Sequence, residues 1–113
     1  MMKIFDLKAM QSYPYEERDK NVFYKSKEFK TRIVELPSGG EMPACEMKSY
    51  VIFHVVGGAV EVSVDGEIAN LEKDQCLITE PATLSMKTCT NDSKFFFASS
   101  YLLRFFMNHS LSL

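Results

Sequence analysis

Apolar and polar residues alternate with a period of two along much of this chain. The clearest case is Ala59 to Val64, where Val60, Val62 and Val64 share one face and Glu61 and Ser63 the other. This predicts a half-buried strand. Asp65-Gly66 follows, a pair that accepts the backbone of a two-residue hairpin turn, so the chain is expected to return through Glu67 to Leu71. Upstream, Tyr50 to Val56 is a nearly unbroken β-branched and aromatic run. It fits a strand covered on both sides or one at an oligomer interface. Between Glu28 and Leu36, Phe29, Ile33 and Leu36 with β-branched Thr31 and Val34 predict another strand, which Pro37-Ser38-Gly39-Gly40 ends.

The rest of the chain keeps the same rhythm. Ile4 to Gln11 fits one or two helical turns stopped at Tyr13-Pro14 and reads as an arm. The charged run EERDKN (16–21) is expected in solvent, and Val22-Phe23-Tyr24 is the first expected strand. Beyond the hairpin, Gln75 to Thr79 reads as a buried strand and Glu80 to Thr83 as a turn before Leu84-Ser85-Met86. Asn91-Asp92-Ser93 breaks the pattern, and Lys94 to Arg104 supplies a last aromatic strand. Strands recurring about every 8 to 12 residues point to an all-β sandwich or barrel with little helix. The tail from Phe105 to Leu113 is too apolar to lie loose in water and is expected to dock on the barrel or on a partner subunit.

Composition narrows the classes of function. At 113 residues the chain is about one domain, and 46% hydrophobic with 25% charged residues is the balance of a folded globule. A formal charge of -2 and a pI near 5.7 offer no broad attraction to nucleic acid or an anionic membrane. The basic residues of KSKEFKTR (25–32) read as the solvated face of a strand. Cys45, Cys76 and Cys89, spaced by 31 and 13 residues, form neither a disulfide framework nor a zinc finger. The start MMKIFDLKAM is broken by Lys3, Asp6 and Lys8, unlike a signal peptide, and no apolar run is long enough to span a bilayer. A reducing cytoplasm is the expected compartment.

The order and spacing of these elements resemble the cupin family, small β-barrels of the double-stranded β-helix (jelly-roll) type. The first cupin motif, G-(x)5-H-x-H-(x)3-E-(x)6-G, falls on Gly39, Cys45, Met47, Val51 and Gly58, and the stretch GAVEVSVDGE (58–67) is similar to the strand and hairpin that follow it. The second motif falls on Lys73, Thr79, Pro81, Leu84 and Thr88 without matching residue types. The resemblance implies an all-β cupin-like barrel over 26–104, a short N-terminal arm over 1–25 and a C-terminal tail over 105–113. It also implies a homodimer, with arm and tail packing across the two-fold.

In cupins the motif histidines and glutamate hold a divalent metal. Here their positions are Cys45, Met47, Val51 and Leu84, without an imidazole or carboxylate, so no metal and no cofactor are expected. Cys45, Met47 and Met86 offer soft sulfur donors of the kind that suit Cu(I), but such residues beside Val and Leu are the ordinary content of an apolar core. Cys45 has no evident base near it and reads as an inert thiol.

The expected function is that of a metal-free, non-enzymatic barrel. Its lumen, lined by Cys45, Met47, Val51, Phe53, Leu84 and Met86, takes a small apolar ligand or is filled by side chains. A sensory or structural dimer belongs to the same class. The alternative is a metal-independent epimerase or isomerase using acid and base side chains, with His54, Tyr50 and Glu46 as candidates. His54 itself reads as a core or interface histidine, and His109 lies in the tail.

Overall fold

The structure is a computed structural model that describes residues 2–88 and 92–100. Among the described residues the chain forms one 3₁₀ helix, Tyr15–Asn21, and nine strands. These are β1 (Val22–Lys25), β2 (Phe29–Leu36), β3 (Glu41–Met47), β4 (Val51–Gly57), β5 (Ala59–Val64), β6 (Glu67–Glu72), β7 (Cys76–Thr79), β8 (Ala82–Thr88) and β9 (Ser93–Ser100). They make two antiparallel sheets, ordered β1-β2-β9-β4-β7 and β3-β8-β5-β6. From β2 onward the chain changes sheet at every connection except the β5–β6 hairpin. Most neighbours in a sheet are therefore distant in sequence: β2 runs beside β9 from Phe29 opposite Ser100 to Leu36 opposite Ser93.

Because side chains alternate along a strand, each sheet turns one row inward, and the two rows meet in a single core. The first sheet contributes Leu36, Val51, Phe53, Val55, Phe95 and Phe97; the second contributes Val60, Val62, Leu71, Leu84 and Met86. The hairpin forms as its sequence dictates, with Asp65 and Gly66 both at positive φ (50° and 86°) and Val64 opposite Glu67. Asp65 also ties the turn to β8. Its N–H donates to the Thr83 carbonyl (2.9 Å) and its Oδ1 accepts the Thr83 N–H (2.8 Å). Asp65→Ala should therefore lose about 1 kcal/mol in urea unfolding and Asp65→Asn less. Equal stability of the alanine variant would show that the turn is not anchored there.

Two expectations need correction. Of the two alternatives for β4, cover on both faces is not met within the chain: Val51, Phe53 and Val55 point inward, while Ile52 is 39% exposed on the outer face. The segment at β7 is not a buried strand but the edge of its sheet, with Cys76 and Ile78 outward and exposed and Leu77 and Thr79 turned in. A run of apolar letters looks alike in a central strand and in a short edge strand with one wet face.

The charged run 16–21 is exposed from Glu16 to Lys20, as expected, and it is also ordered. It lies wholly within the 3₁₀ helix, clamped at its end by the buried Asn21 side chain. That amide accepts the Tyr13 N–H (2.7 Å) and donates to the Tyr13 carbonyl (3.0 Å). The arm packs on its own barrel through Phe5 against Phe23 and Phe23 against Phe96, with ring centroids 4.9 and 6.1 Å apart. Lys94 Nζ donates to the carbonyls of Lys8 and Met10. Of the arm's expected helical turns, one is present, with the Met10 N–H donating to the Asp6 carbonyl at 3.1 Å. No helix among the described residues is long and apolar enough to cross a membrane. Cys89, residues 101–104 and the tail 105–113 lie outside the described residues.

Candidate functional site

The six positions expected to line the lumen separate into two groups. Val51 and Phe53 on β4 and Leu84 and Met86 on β8 are at most 3% exposed and belong to the core, so the depth of the barrel is filled by side chains. Cys45 and Met47 stand at the open end on the edge strand β3. Cys45 is exposed opposite Leu84, and Met47 packs partly onto the core.

A third sulfur joins them. Between Met42 and Cys45 the register of β3 against β8 shifts: Met42 faces Met86 and Cys45 faces Leu84, three residues advancing against two. One extra residue in a strand reverses its parity. Met42, Cys45 and Met47 consequently line one concavity of about 350 Å³ at the barrel mouth. Period-two reasoning separates an even position from two odd ones, so Met42 was not foreseeable without knowing of the bulge.

The opposite wall comes from the first sheet, with Lys30 and Arg32 on β2 and Phe97 and Ser99 on β9, and the 3₁₀ helix adds Arg18 and Asp19 at the rim. The basic run was expected to face solvent, and Lys25 and Lys27 do. Lys30 and Arg32 turn inward instead, since Arg32 pairs in register with the core residue Phe97 and Lys30 with the buried Ser99. The signal was present in the sequence: positions 30 and 32 share the parity of Val34 and Leu36, which continue the same row into the core.

Arg32 is the most constrained of these cations. Its side chain is only 22% exposed and its Nε is buried with no hydrogen-bond partner. Its Nη2 meets Asp19 Oδ1 at 3.5 Å, and that carboxylate is 96% exposed. A carboxylate so open to water interacts weakly, so a largely desolvated guanidinium is left poorly compensated.

This chemistry does not fit a divalent metal. The four cupin ligand positions are a thiol, a thioether and two hydrocarbons, and no cluster of three His, Cys, Asp or Glu suited to a metal occurs among the described residues. A soft cation meets a different obstacle. Met86 is buried in the core, and Met42, Cys45 and Met47 share the mouth with three cationic side chains, Arg18, Lys30 and Arg32, and with Asp19. Their repulsion opposes a positive guest.

The acid and base candidates do not converge. His54 is not a core histidine: it is 38% exposed on the outer face of the first sheet, its Nε2 3.9 Å from Asp74 Oδ1. Glu46 alternates away from Cys45 and Met47 onto the outside of the second sheet, and Tyr50 sits half-buried before β4.

Comparison with solved structures finds the same fold in other proteins. An uncharacterized conserved protein with a double-stranded β-helix domain from Klebsiella pneumoniae superposes with a TM-score of 0.76 at 13% identity, covering 88% of this chain and 90% of the other. TT1209 from Thermus thermophilus gives 0.75 at 19%, covering 88% and 98%. The cupin domain of Cnp3 from Schizosaccharomyces pombe gives 0.66 at 21%, covering 78% and 67%. Neither a protein-family model nor a curated protein sequence matches the chain. The chain has the cupin fold, an all-β double-stranded β-helix, with a filled interior and a basic, sulfur-lined mouth.

Proposed function

We propose that this cupin-fold protein binds a small molecule at the mouth of its barrel, without a metal ion and without chemistry of its own. What carries the reading is the concavity between β3 and the inward row of β2 and β9. Its floor, Met42, Met47 and Phe97, is apolar, and its rim bears a few convergent polar groups, the usual build of a small-molecule site. The absence of an imidazole or carboxylate at the four motif positions, and the divergence of Glu46, Tyr50 and His54, favour binding over turnover. Methionines suit such a floor because their flexible thioethers adapt to a guest.

The test is a thermal-shift screen of small metabolites against the wild type and Met47→Trp, which fills the mouth. A ligand at a hundred times its Kd should stabilise the wild type by about 2.7 kcal/mol and the tryptophan variant hardly at all. Because the chain contains no tryptophan, the variant also reports on its own surroundings by fluorescence. A compound that stabilises both proteins equally, or a broad screen that stabilises neither, would sink the reading.

A further inference from the structure

We infer that the ligand is a small organic carboxylate with an apolar body, anchored by Arg32, and that Asp19 is a built-in competitor for that anchor. The inference rests on the mouth being the ligand site and adds the chemical class of what enters it.

Taking a permanent cation partly out of water is unfavourable unless an anion and hydrogen-bond acceptors replace the water. At Arg32 the fold supplies neither adequately. The Nε is buried without a partner, and the ion pair to Asp19 is 3.5 Å long and made with a carboxylate that water screens. A guanidinium presents its donors as a planar fork matched to the two oxygens of a carboxylate, and a bidentate pair is stronger and more specific than a single contact. Nε is covered, so a carboxylate reaches it when the side chain turns toward the mouth, exchanging one long contact to Asp19 for two short ones. Asp19 already presents the guest's chemistry: the group that approaches Arg32 in the folded chain is itself a carboxylate.

The remainder of the mouth selects what the carboxylate is attached to. Met42, Met47 and Phe97 offer hydrocarbon and sulfur surface, so a bare inorganic anion would leave most of the concavity unmatched. A volume of about 350 Å³ is at the small end for ligand sites and suits a compact guest.

Titration calorimetry on the full chain with benzoate and hexanoate against benzamide and hexanamide tests this, with inorganic phosphate as a further probe. The acids should bind about tenfold or more tightly than the amides, and phosphate should not compete with them at equal concentration. Arg32→Lys keeps the charge but loses the fork, and should weaken the acids about tenfold while leaving the amides unchanged. Asp19→Asn should tighten the acids several-fold, a result that a merely structural role for Arg32 would not produce. If amides bind as well as acids, or phosphate displaces benzoate, or Asp19→Asn weakens binding, the carboxylate assignment is wrong. The mouth would still be the site provided Met47→Trp abolishes binding. If Met47→Trp changes nothing, the site itself is elsewhere.

Discussion

Phe53→Ala is expected to lower the unfolding free energy by about 3–5 kcal/mol. That is a large part of the roughly 5–15 kcal/mol that holds a domain together. Phe53 is 1% exposed and sits edge-on to two other rings, with centroids 4.8 Å from Phe97 and 5.9 Å from Phe95 at interplanar angles of 70° and 68°. Such pairs contribute about 0.5–1.5 kcal/mol each beyond the area they bury. The space left by the ring has little chance of closing. β4 is held on both sides, Phe53 standing opposite Phe97 in β9 and Leu77 in β7, so its backbone cannot move inward without breaking two ladders. Urea unfolding measures the loss as a lower midpoint, and Phe53→Leu should lose clearly less. A loss under about 1 kcal/mol would mean that the core around β4 collapses freely, contrary to the close packing of protein interiors. The same variant should reach the mouth. Phe97, which loses its edge-on partner, is part of the floor on which a ligand would rest.

The fold was legible because its signals are local and redundant. Val60, Val62 and Val64 alternate without a break, Asp65-Gly66 allows essentially one kind of turn, and Gly39 and Gly58 bracket the first motif at the spacing that cupins use. In the structure both adopt positive φ, 77° and 73°. Elsewhere the letters carried less. β3 contains Pro43, which removes a ladder donor, and its alternation is spoiled by the bulge; it is a strand because an edge tolerates both. β7 resembles a core strand only until its place at the end of the sheet order is known.

The candidate site was half legible, and the division has a physical cause. Cys45 and Met47 follow from motif spacing. Arg32 and Lys30 were hidden by the habit of assigning charge to solvent, although their parity with Val34 and Leu36 placed them on the inward row. Arg18 and Asp19 reach the mouth only because the arm folds back as a 3₁₀ helix over the first sheet. Within EERDKN only the Asn21 clamp on Tyr13 is local; the Phe5–Phe23–Phe96 contacts fix the return over a longer distance in sequence. Core letters predict themselves, whereas rim residues are defined by what the chain brings opposite them.

Gly58→Ala is expected to cost about 2–5 kcal/mol, for two reasons that act together. At φ +73° an L-residue is strained by its own carbonyl, and a methyl group at this position would lie 2.5 Å from the Asp92 carbonyl oxygen and 2.9 Å from Ser93 Cα. Neither neighbour can yield cheaply. Asp92 Oδ1 accepts the Ser38 N–H at 2.9 Å, tying it to the turn between β2 and β3, and Ser93 is paired with Leu36 in the β2–β9 ladder. Gly57 supplies the control: a methyl group there meets nothing within 4 Å and its φ is not positive, so Gly57→Ala should stay within about 0.5 kcal/mol of the wild type. Equal losses in the two variants would refute the steric account. Position makes the pair more informative still. Along the β4–β9 ladder Gly57 faces Lys94 while Val51 faces Ser99, so Gly58 lies at the end of the barrel away from the mouth. Gly58→Ala should therefore lower the unfolding midpoint while its folded fraction binds ligand like the wild type. Arg32→Lys should do the reverse, because the closed end of the barrel holds the fold together and the open end recognises the guest.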